Sequence, residues 1–142
     1  PTSVRLPARV AYTYTLAEFR TAFESDYDPW GSVQAGDRLP YLPAHQFSGS
    51  FGIEGLGWDA TLSAFGASAM RTKAGQGDMI PHESTDAYVV FNLMAGYGTP
   101  GNGTVYLGIQ NLVDEKYMVA RRPAGARPGM PRTVMAGFRI AR

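Results

Sequence analysis

The chain has 142 residues, and its 13 basic and 12 acidic side chains give a net charge of +1. This balance argues against a nucleic-acid-binding protein, which usually carries a clear basic excess. The absence of cysteine excludes disulfide frameworks and cysteine-ligated metal sites. The 17 glycines and the 12% aromatic content favour many short strands and turns over helices.

Apolar and polar residues alternate with a period of two in six segments, which is the pattern of strands with one apolar face. In the clearest segment, Val89, Phe91 and Leu93 lie on a wholly apolar face, and the intervening residues form a mixed face. The segments have about the length of strands that cross a bilayer at a tilt, about 9–11 residues. In chain order the predicted strands are residues 6–23 (with a bulge near 17–18), 46–54, 58–67, 87–97, 104–112 and 132–142.

The predicted connections alternate in length. Short glycine-rich turns are expected at residues 54–58 and 98–103, and long polar loops at 24–43, 70–84 and 113–131. Short turns at one end and long loops at the other are typical of outer-membrane barrels, whose long loops lie outside the cell.

Six strands are too few to close such a barrel, since single-chain barrels begin at about eight. The predicted fold is therefore all-β, an antiparallel up-and-down meander of about six strands that forms part of a larger transmembrane β-barrel. Edge-to-edge pairing with another copy is a second way to satisfy the two open edges.

Catalytic and metal-site patterns are absent from the sequence. His45 and His82 lie far apart and lack the spacing of a metal-binding motif, and no serine has a G-x-S-x-G setting. Asp26 and Asp28 supply too few oxygen ligands for calcium. We therefore expect no enzymatic activity, no resident metal and no cofactor.

The long loops hold the candidate binding residues. Arginines suit a bidentate grip on the carboxylates or phosphates of a ligand. The alternative is that these arginines bond loop backbone and surface carboxylates. Loop aromatics can stack on a ligand or pack the loop's own fold, and the glycine-rich loop 70–84 is expected to be mobile. The candidate residues are Tyr27, Trp30, Arg38, Tyr41, Arg71, Arg121, Arg122 and Arg127.

Three motifs, in order, resemble the C-terminal part of a TonB-dependent outer-membrane receptor. Residues 111–117 (Asn-Leu-Val-Asp-Glu-Lys-Tyr) resemble the N-L-F-D-x-x-Y run that closes the penultimate strand in that family. Residues 127–134 (Arg-Pro-Gly-Met-Pro-Arg-Thr-Val) resemble the G-x-P-R-T segment that leads into the final strand. Residues 39–46 (Leu-Pro-Tyr-Leu-Pro-Ala-His-Gln) resemble the L-P-x-x-P-x-H element of ferric-citrate and other ferric-siderophore receptors.

The motif residues are expected to have structural roles. An asparagine at the end of a strand can bond the local backbone and start a turn, and a tyrosine at a loop base can anchor it at the lipid interface. A proline suits the first residue of a strand, and an arginine beside it can reach headgroups or loop carboxylates. The residues concerned are Asn111, Leu112, Asp114, Tyr117, Gly129, Pro131 and Arg132.

The resemblance implies uptake of a ferric siderophore or a similar metal chelate across the outer membrane of a Gram-negative bacterium. Anionic ferric chelates or lipopolysaccharide phosphates would then be the targets of the loop arginines, and the loop aromatics could stack on a chelate. The implied partners are outer-membrane lipid, the rest of the barrel and the plug, and through the plug TonB; residues 1–142 would be the C-terminal portion of the barrel, without the plug. The sequence departs from the family at Arg142, where the final residue is usually aromatic. Two alternatives stay open: a small soluble β-barrel or sandwich that binds a ligand, and a non-transporting adhesin or assembly barrel.

Overall fold

The structure, a computed structural model, describes residues 3–101 and 103–140. Six long strands form one sheet, and two pairs of short strands lie in the connections between them. In chain order the strands are β1 (Ala8–Tyr14), β2 (Phe23–Glu24), β3 (Ser32–Val33), β4 (His45–Gly55), β5 (Trp58–Ala67), β6 (Tyr88–Thr99), β7 (Gly103–Gln110), β8 (Met118–Ala120), β9 (Arg127–Pro128) and β10 (Thr133–Ile140). One turn of 3₁₀ helix spans Pro81–Glu83. Within the described ranges, no helix has the length and apolar character needed to cross a membrane.

The sheet runs in the order β1-β4-β5-β6-β7-β10, so each long strand pairs with the next long strand along the chain. Every pair is antiparallel. The prediction of an all-β, up-and-down meander of six strands is confirmed. The predicted strand 58–67 coincides with β5, and four others agree within two residues at each end. The last two residues of the final predicted strand, including Arg142, lie outside the described residues.

The pairing register places the apolar positions of all six strands on one face of the sheet, called the apolar face below. Directly opposed residues of an antiparallel pair carry their side chains on the same face. One row across five strands consists of Phe51, Leu62, Leu93, Ile109 and Val134. The other large members are Val10, Tyr12, Tyr14, Phe47, Ile53, Trp58, Val89, Phe91, Tyr97, Val105, Leu107, Phe138 and Ile140, and the polar members are His45 and Thr99.

The opposite face, called the polar face below, carries most of the polar side chains of the sheet. It also holds a few large apolar residues, which are Phe65, Tyr88, Val90, Met94, Tyr106 and Met135. Its polar members are Arg9, Thr13, Gln46, Ser48, Ser50, Glu54, Asp59, Thr61, Ser63, Asn92, Thr104, Gln110, Thr133 and Arg139.

Nothing in the described part of the chain covers the apolar face. Val10 is 85% exposed, Phe51 55% and Phe138 58%. The buried apolar side chains include Val90 on the polar face and others in the connections between strands. A soluble barrel or sandwich would bury its apolar face in a dry core, so that alternative is wrong for the described residues.

Short turns join the strands at one end of the sheet, and long connections join them at the other, as predicted. Between β4 and β5 the chain turns at Leu56 and Gly57, and the φ of +79° at Gly57 favours glycine. The connection from β6 to β7 is also short. The long connections are residues 15–44, 68–87 and 111–132, called loop 1, loop 2 and loop 3 below.

The first predicted strand, residues 6–23, is too long. β1 ends at Tyr14, and the chain then leaves the sheet. Phe19 and Phe23, whose apolar character suggested a strand with shifted phase, lie in loop 1 and pack edge to face against Trp30. The predicted bulge is therefore wrong, because no strand continues past it.

The outer strands β1 and β10 each have one neighbouring strand among the described residues. The open edge of each carries backbone groups that need a partner, above all in lipid. Closure by further strands of a larger barrel would supply one, and so would edge-to-edge pairing with another copy. Both stay predictions.

Candidate functional site

The three loops contact one another at one end of the sheet and form the candidate site. Main-chain hydrogen bonds join loop 1 to loop 2: Arg38 N–H donates to the Gly75 carbonyl (3.0 Å), and Ala74 N–H donates to the Pro29 carbonyl (2.9 Å). Backbone pairing of this kind shapes two loops into one surface. The expected mobility of residues 70–84 stays a prediction.

An aromatic cluster gives loop 1 its local fold. The Trp30 ring centroid lies 5.8 Å from those of Phe19 and Phe23 and 5.6 Å from that of Tyr27, each in an edge-to-face arrangement. These contacts match the alternative that the aromatics pack their own loop. Trp30 is nevertheless 41% exposed and Tyr27 51% exposed, so both keep ring surface that a ligand can contact.

The Tyr41 hydroxyl links loop 1 to loop 3. It accepts the N–H of Arg122 at 2.7 Å and the N–H of Arg121 at 3.3 Å, and it donates to the Arg122 carbonyl at 3.0 Å. Tyr41 is half-buried, with a positive φ of 58°. Because the hydroxyl is fully engaged, Tyr41 acts here as a link between loops.

Arg122 joins loop 3 to both other loops. Its Nη1 lies 3.0 Å from Asp28 Oδ2 in loop 1, and its Nη2 lies 3.2 Å from Glu83 Oε1 in loop 2. The hydrogen bond to Asp28 raises the pKa of Arg122 further above its usual value, and Glu83 acts in the same direction. Both terminal nitrogens of the Arg122 guanidinium, Nη1 and Nη2, are therefore bound to carboxylates of the protein itself.

The remaining candidate arginines divide into two groups. Arg121 donates through Nε to the Ser84 carbonyl, and the Arg71 guanidinium donates to the Gly77 carbonyl. Arg38 and Arg127 are exposed, and their side chains form no hydrogen bond or ion pair within the described ranges. The last two are the arginines most available to a ligand.

Asn111 organises the start of loop 3. It is 1% exposed and has a φ of +50°, a conformation that asparagine tolerates better than most residues. Its Nδ2 donates to the carbonyls of Glu115 and Met130, each at 2.9 Å, while its Oδ1 accepts the Glu115 N–H at 2.8 Å. Its own N–H donates to Asn92 Oδ1 at 3.0 Å. One side chain thus closes the first turn of the loop and ties it to the loop's end.

Two further motif residues hold loop 3 against the sheet. Leu112 N–H donates to the Phe91 carbonyl at 2.7 Å, which extends the β6 pairing. The Asp114 carboxylate accepts the main-chain N–H of Arg132 at 3.2 Å. Pro131 lies two residues ahead of β10 rather than at its first position, so its predicted place is corrected.

Tyr117 lies on a different side of the sheet from the one predicted. It is 9% exposed and stacks on Tyr88, and its ring fills the space that a Cβ at Gly129 would need. Because Tyr88 belongs to the polar face, the predicted anchor at the lipid interface is wrong. Burial raises the pKa of Tyr117, and the nearby Tyr88 adds to the effect.

Sequence reasoning missed four residues that position the loops. Asp28 and Glu83 form ion pairs with Arg122. Asn92 accepts a hydrogen bond from the Asn111 N–H, and Tyr88 stacks on Tyr117. The acidic character of loop 1 and the basic character of loop 3 were visible in the sequence. That complementarity indicates contact between the loops, but not which side chains meet.

Comparison with known proteins identifies the family. A model described as "TonB dependent receptor-like, beta-barrel" matches residues 3–112. The chain belongs to this family. Among curated proteins no match is found. A solved structure, the ferric-catecholate import receptor Fiu of E. coli K12 in its closed form, matches with 24% identity and a TM-score of 0.72. The match covers 94% of this chain and 18% of the Fiu chain, and at this identity it shows the fold.

TonB-dependent receptors are transporters and not enzymes, so the family confirms the expectation of no enzymatic activity. The resemblance inferred from the motifs is confirmed at the level of the family. Its model covers Asn111 and Leu112 and ends before the remainder of that motif. An open six-stranded sheet is the form expected for a segment of a larger receptor barrel.

Proposed function

We propose that the chain forms part of the barrel wall and outer loops of a TonB-dependent outer-membrane receptor that takes up a ferric siderophore or a similar metal chelate. The observation that carries the proposal is the division of the sheet into an almost wholly apolar face, with His45 and Thr99 at its two ends, and a polar face, with all long loops at one end. Lipid would cover the apolar face, and the polar face would line the barrel interior.

The height of the apolar face supports a membrane position. Aromatic side chains mark both of its ends: Tyr12 and Tyr14 near the loops, and Trp58, Tyr97 and Phe138 near the turns. β4 spans the distance between them from His45 to Gly55, which is about 33 Å at about 3.3 Å per residue. A strand tilt of about 40° reduces this to about 25 Å, the height of the apolar band in outer-membrane barrels.

The same placement implies the partners. We place residues 1–142 in the C-terminal portion of the barrel, on the strength of the order of the three motifs. The rest of the barrel would continue from the edges of β1 and β10, and the plug, which engages TonB, would face the polar side of the sheet. The membrane would be the outer membrane of a Gram-negative bacterium, as for other members of the family.

The loops support an anionic iron chelate as the ligand. Trp30 and Tyr27 offer exposed aromatic surface, and Arg127 offers an exposed guanidinium for oxygen anions. Fiu is a ferric-catecholate import receptor, whereas the motif at residues 39–46 resembles ferric-citrate receptors. Both chelate classes therefore belong in the test.

The test is uptake of radiolabelled iron by cells that lack their own siderophore receptors and express the complete receptor containing this chain. Ferric citrate, a ferric catecholate and a ferric hydroxamate are supplied separately. We expect uptake of at least one chelate and its loss when TonB is deleted. Correct insertion without uptake of any chelate contradicts the proposal and favours the non-transporting alternative.

The two tryptophans of the chain provide a matched pair of variants. Trp30→Ala removes an exposed ring from loop 1, and we expect about tenfold weaker chelate binding. Trp58→Ala removes a ring from the far end of the apolar face and should leave chelate affinity unchanged. Equal effects of both substitutions, measured as the chelate concentration for half-maximal binding, contradict a role for loop 1 in ligand capture.

A further inference from the structure

A groove between loop 1 and loop 2 combines positive charge with apolar walls. Its volume is about 360 Å³. Its charged lining residues are Arg38, Arg71 and Asp78, so cationic groups outnumber anionic ones. Leu16 and Met79 line the same groove and are 53% and 43% exposed. Such a groove suits a ligand that is partly anionic and partly apolar.

A second groove, of about 570 Å³, adjoins the first at the loop end of the sheet. Phe47 and Val89 of the apolar face line it, together with Tyr88 of the polar face and Val113 of loop 3, which is 58% exposed. Its lining also includes one acidic residue, Glu115. His45 and Ser68 line both grooves, so the two lie side by side. The positively charged groove thus lies next to the face that the proposed function assigns to lipid.

We propose that the two grooves together bind one phosphate-bearing membrane lipid, with its phosphate in the first groove and an acyl chain in the second. Arginine guanidinium groups match phosphate oxygens in a bidentate geometry. The mainly apolar second groove removes acyl-chain surface from water. This inference rests on the proposed membrane placement and assigns Arg38 and Arg71 to lipid rather than to chelate capture.

The aromatic residues around His45 fix the depth of this site. Tyr12 Oη lies 2.8 Å from His45 Nδ1, and the Tyr14 ring centroid lies 5.2 Å from that of His45. Aromatic girdles of this kind lie at the boundary between the hydrocarbon and the headgroups. A phosphate at this level keeps its acyl chains along Phe47 and Val89, whereas a chelate would approach from the loop tips.

The experiment measures lipid binding to the purified complete receptor in detergent. The probes are a phosphatidic acid, the diacylglycerol with the same acyl chains, and inorganic phosphate. The test variants are Arg38→Gln and the double variant Arg38→Gln/Arg71→Gln. The control is Arg20→Gln, because Arg20 is an exposed arginine of loop 1 that lines neither groove. Native mass spectrometry and a binding titration give the bound lipid.

We expect the receptor to bind phosphatidic acid more tightly than either of the other probes. Each lost groove arginine should weaken phosphatidic acid binding about fivefold, and the Arg20 variant should bind as the unmodified receptor does. Arg38→Gln alone keeps the test valid if the double variant misfolds, because the Arg38 side chain forms no bond within the described ranges.

Two outcomes overturn the inference. One is unchanged phosphatidic acid binding in the arginine variants, and the other is inorganic phosphate binding as tight as that of the lipid, which indicates a free-anion site. Iron uptake is scored separately, so the two proposals fail separately. A receptor that binds phosphatidic acid through Arg38 but takes up no ferric chelate supports the lipid site and overturns the proposed function.

Discussion

Tyr88 of β6 and Tyr117 of loop 3 stack with their ring centroids 4.2 Å apart and their planes at 29°. Tyr88 belongs to the polar face, so this contact holds loop 3 over that face of the sheet. The Gly129 N–H donates to the Tyr117 carbonyl at 2.8 Å, and the Tyr117 ring covers Gly129. Loop 3 therefore closes on itself around one tyrosine.

Gly129→Ala should destabilise the receptor, because the new Cβ would overlap the Tyr117 ring. Overpacking of this kind typically costs about 1–3 kcal/mol, measured here as the free energy of unfolding in urea. Gly75→Ala is the matched control, since the nearest atom to its new Cβ is Arg71 Nη1 at 3.6 Å. Equal stability of the two variants contradicts the packing of Tyr117 on Gly129.

Asn111→Ala should lower the free energy of unfolding by about 3 kcal/mol. The substitution removes three side-chain hydrogen bonds and leaves the Glu115 N–H and the Met130 carbonyl without their partner. Gln46→Ala, on the exposed polar end of β4, should change stability by less than about 0.5 kcal/mol. A small effect at Asn111 would show that loop 3 does not depend on it.

Tyr117 should make the receptor sensitive to alkaline pH. Burial raises its folded-state pKa above the ordinary value of 10.0, so the folded protein keeps the phenolic proton longer than the unfolded chain does. Its contribution to stability is fully present below that ordinary value and is lost as pH rises through the raised pKa. Stability should therefore fall more steeply above about pH 10 in the unmodified receptor than in Tyr117→Phe. Parallel pH profiles for the two proteins contradict this account.

Arg122→Gln should loosen the contact between loops 1 and 3, because both Asp28 and Glu83 lose their charged partner. Hydrogen exchange measures the loss: amide protons of residues 26–31 and 121–122 should exchange faster. High salt should have a similar but smaller effect on the unmodified receptor. Arg127→Gln, an exposed arginine of the same loop, is the control. Similar exchange rates in the two variants count against the link between the loops.

Much of the sheet follows from sequence because one physical constraint acts on every strand. A strand with one apolar face must alternate, so the period of two located β4, β5 and β6 to within two residues. Register could not be predicted from any one strand. The register follows only when neighbouring strands are compared, because the apolar residues of five strands must align in common rows across the sheet.

The loops were harder to predict because their structure depends on distant partners. Phe19 and Phe23 are as apolar as strand residues, yet they pack on Trp30 within loop 1. The partners of Arg122 lie 94 and 39 residues away in the chain, and no local sequence pattern predicts them. Residue type alone likewise gave Tyr117 an interfacial role, whereas Tyr88 and Gly129 place it on the polar face.

Oxygen accessibility along β5 tests the central claim, that the apolar face meets lipid, most directly. The chain has no cysteine, so single-cysteine variants carry one spin label within it. Labels at Leu62 and Ala64 should collide often with oxygen dissolved in the bilayer, and the label at Ser63, on the polar face, should not. A period of two with maxima at the even positions is the predicted result. Oxygen accessibility that shows no alternation, or that peaks at Ser63, contradicts the account.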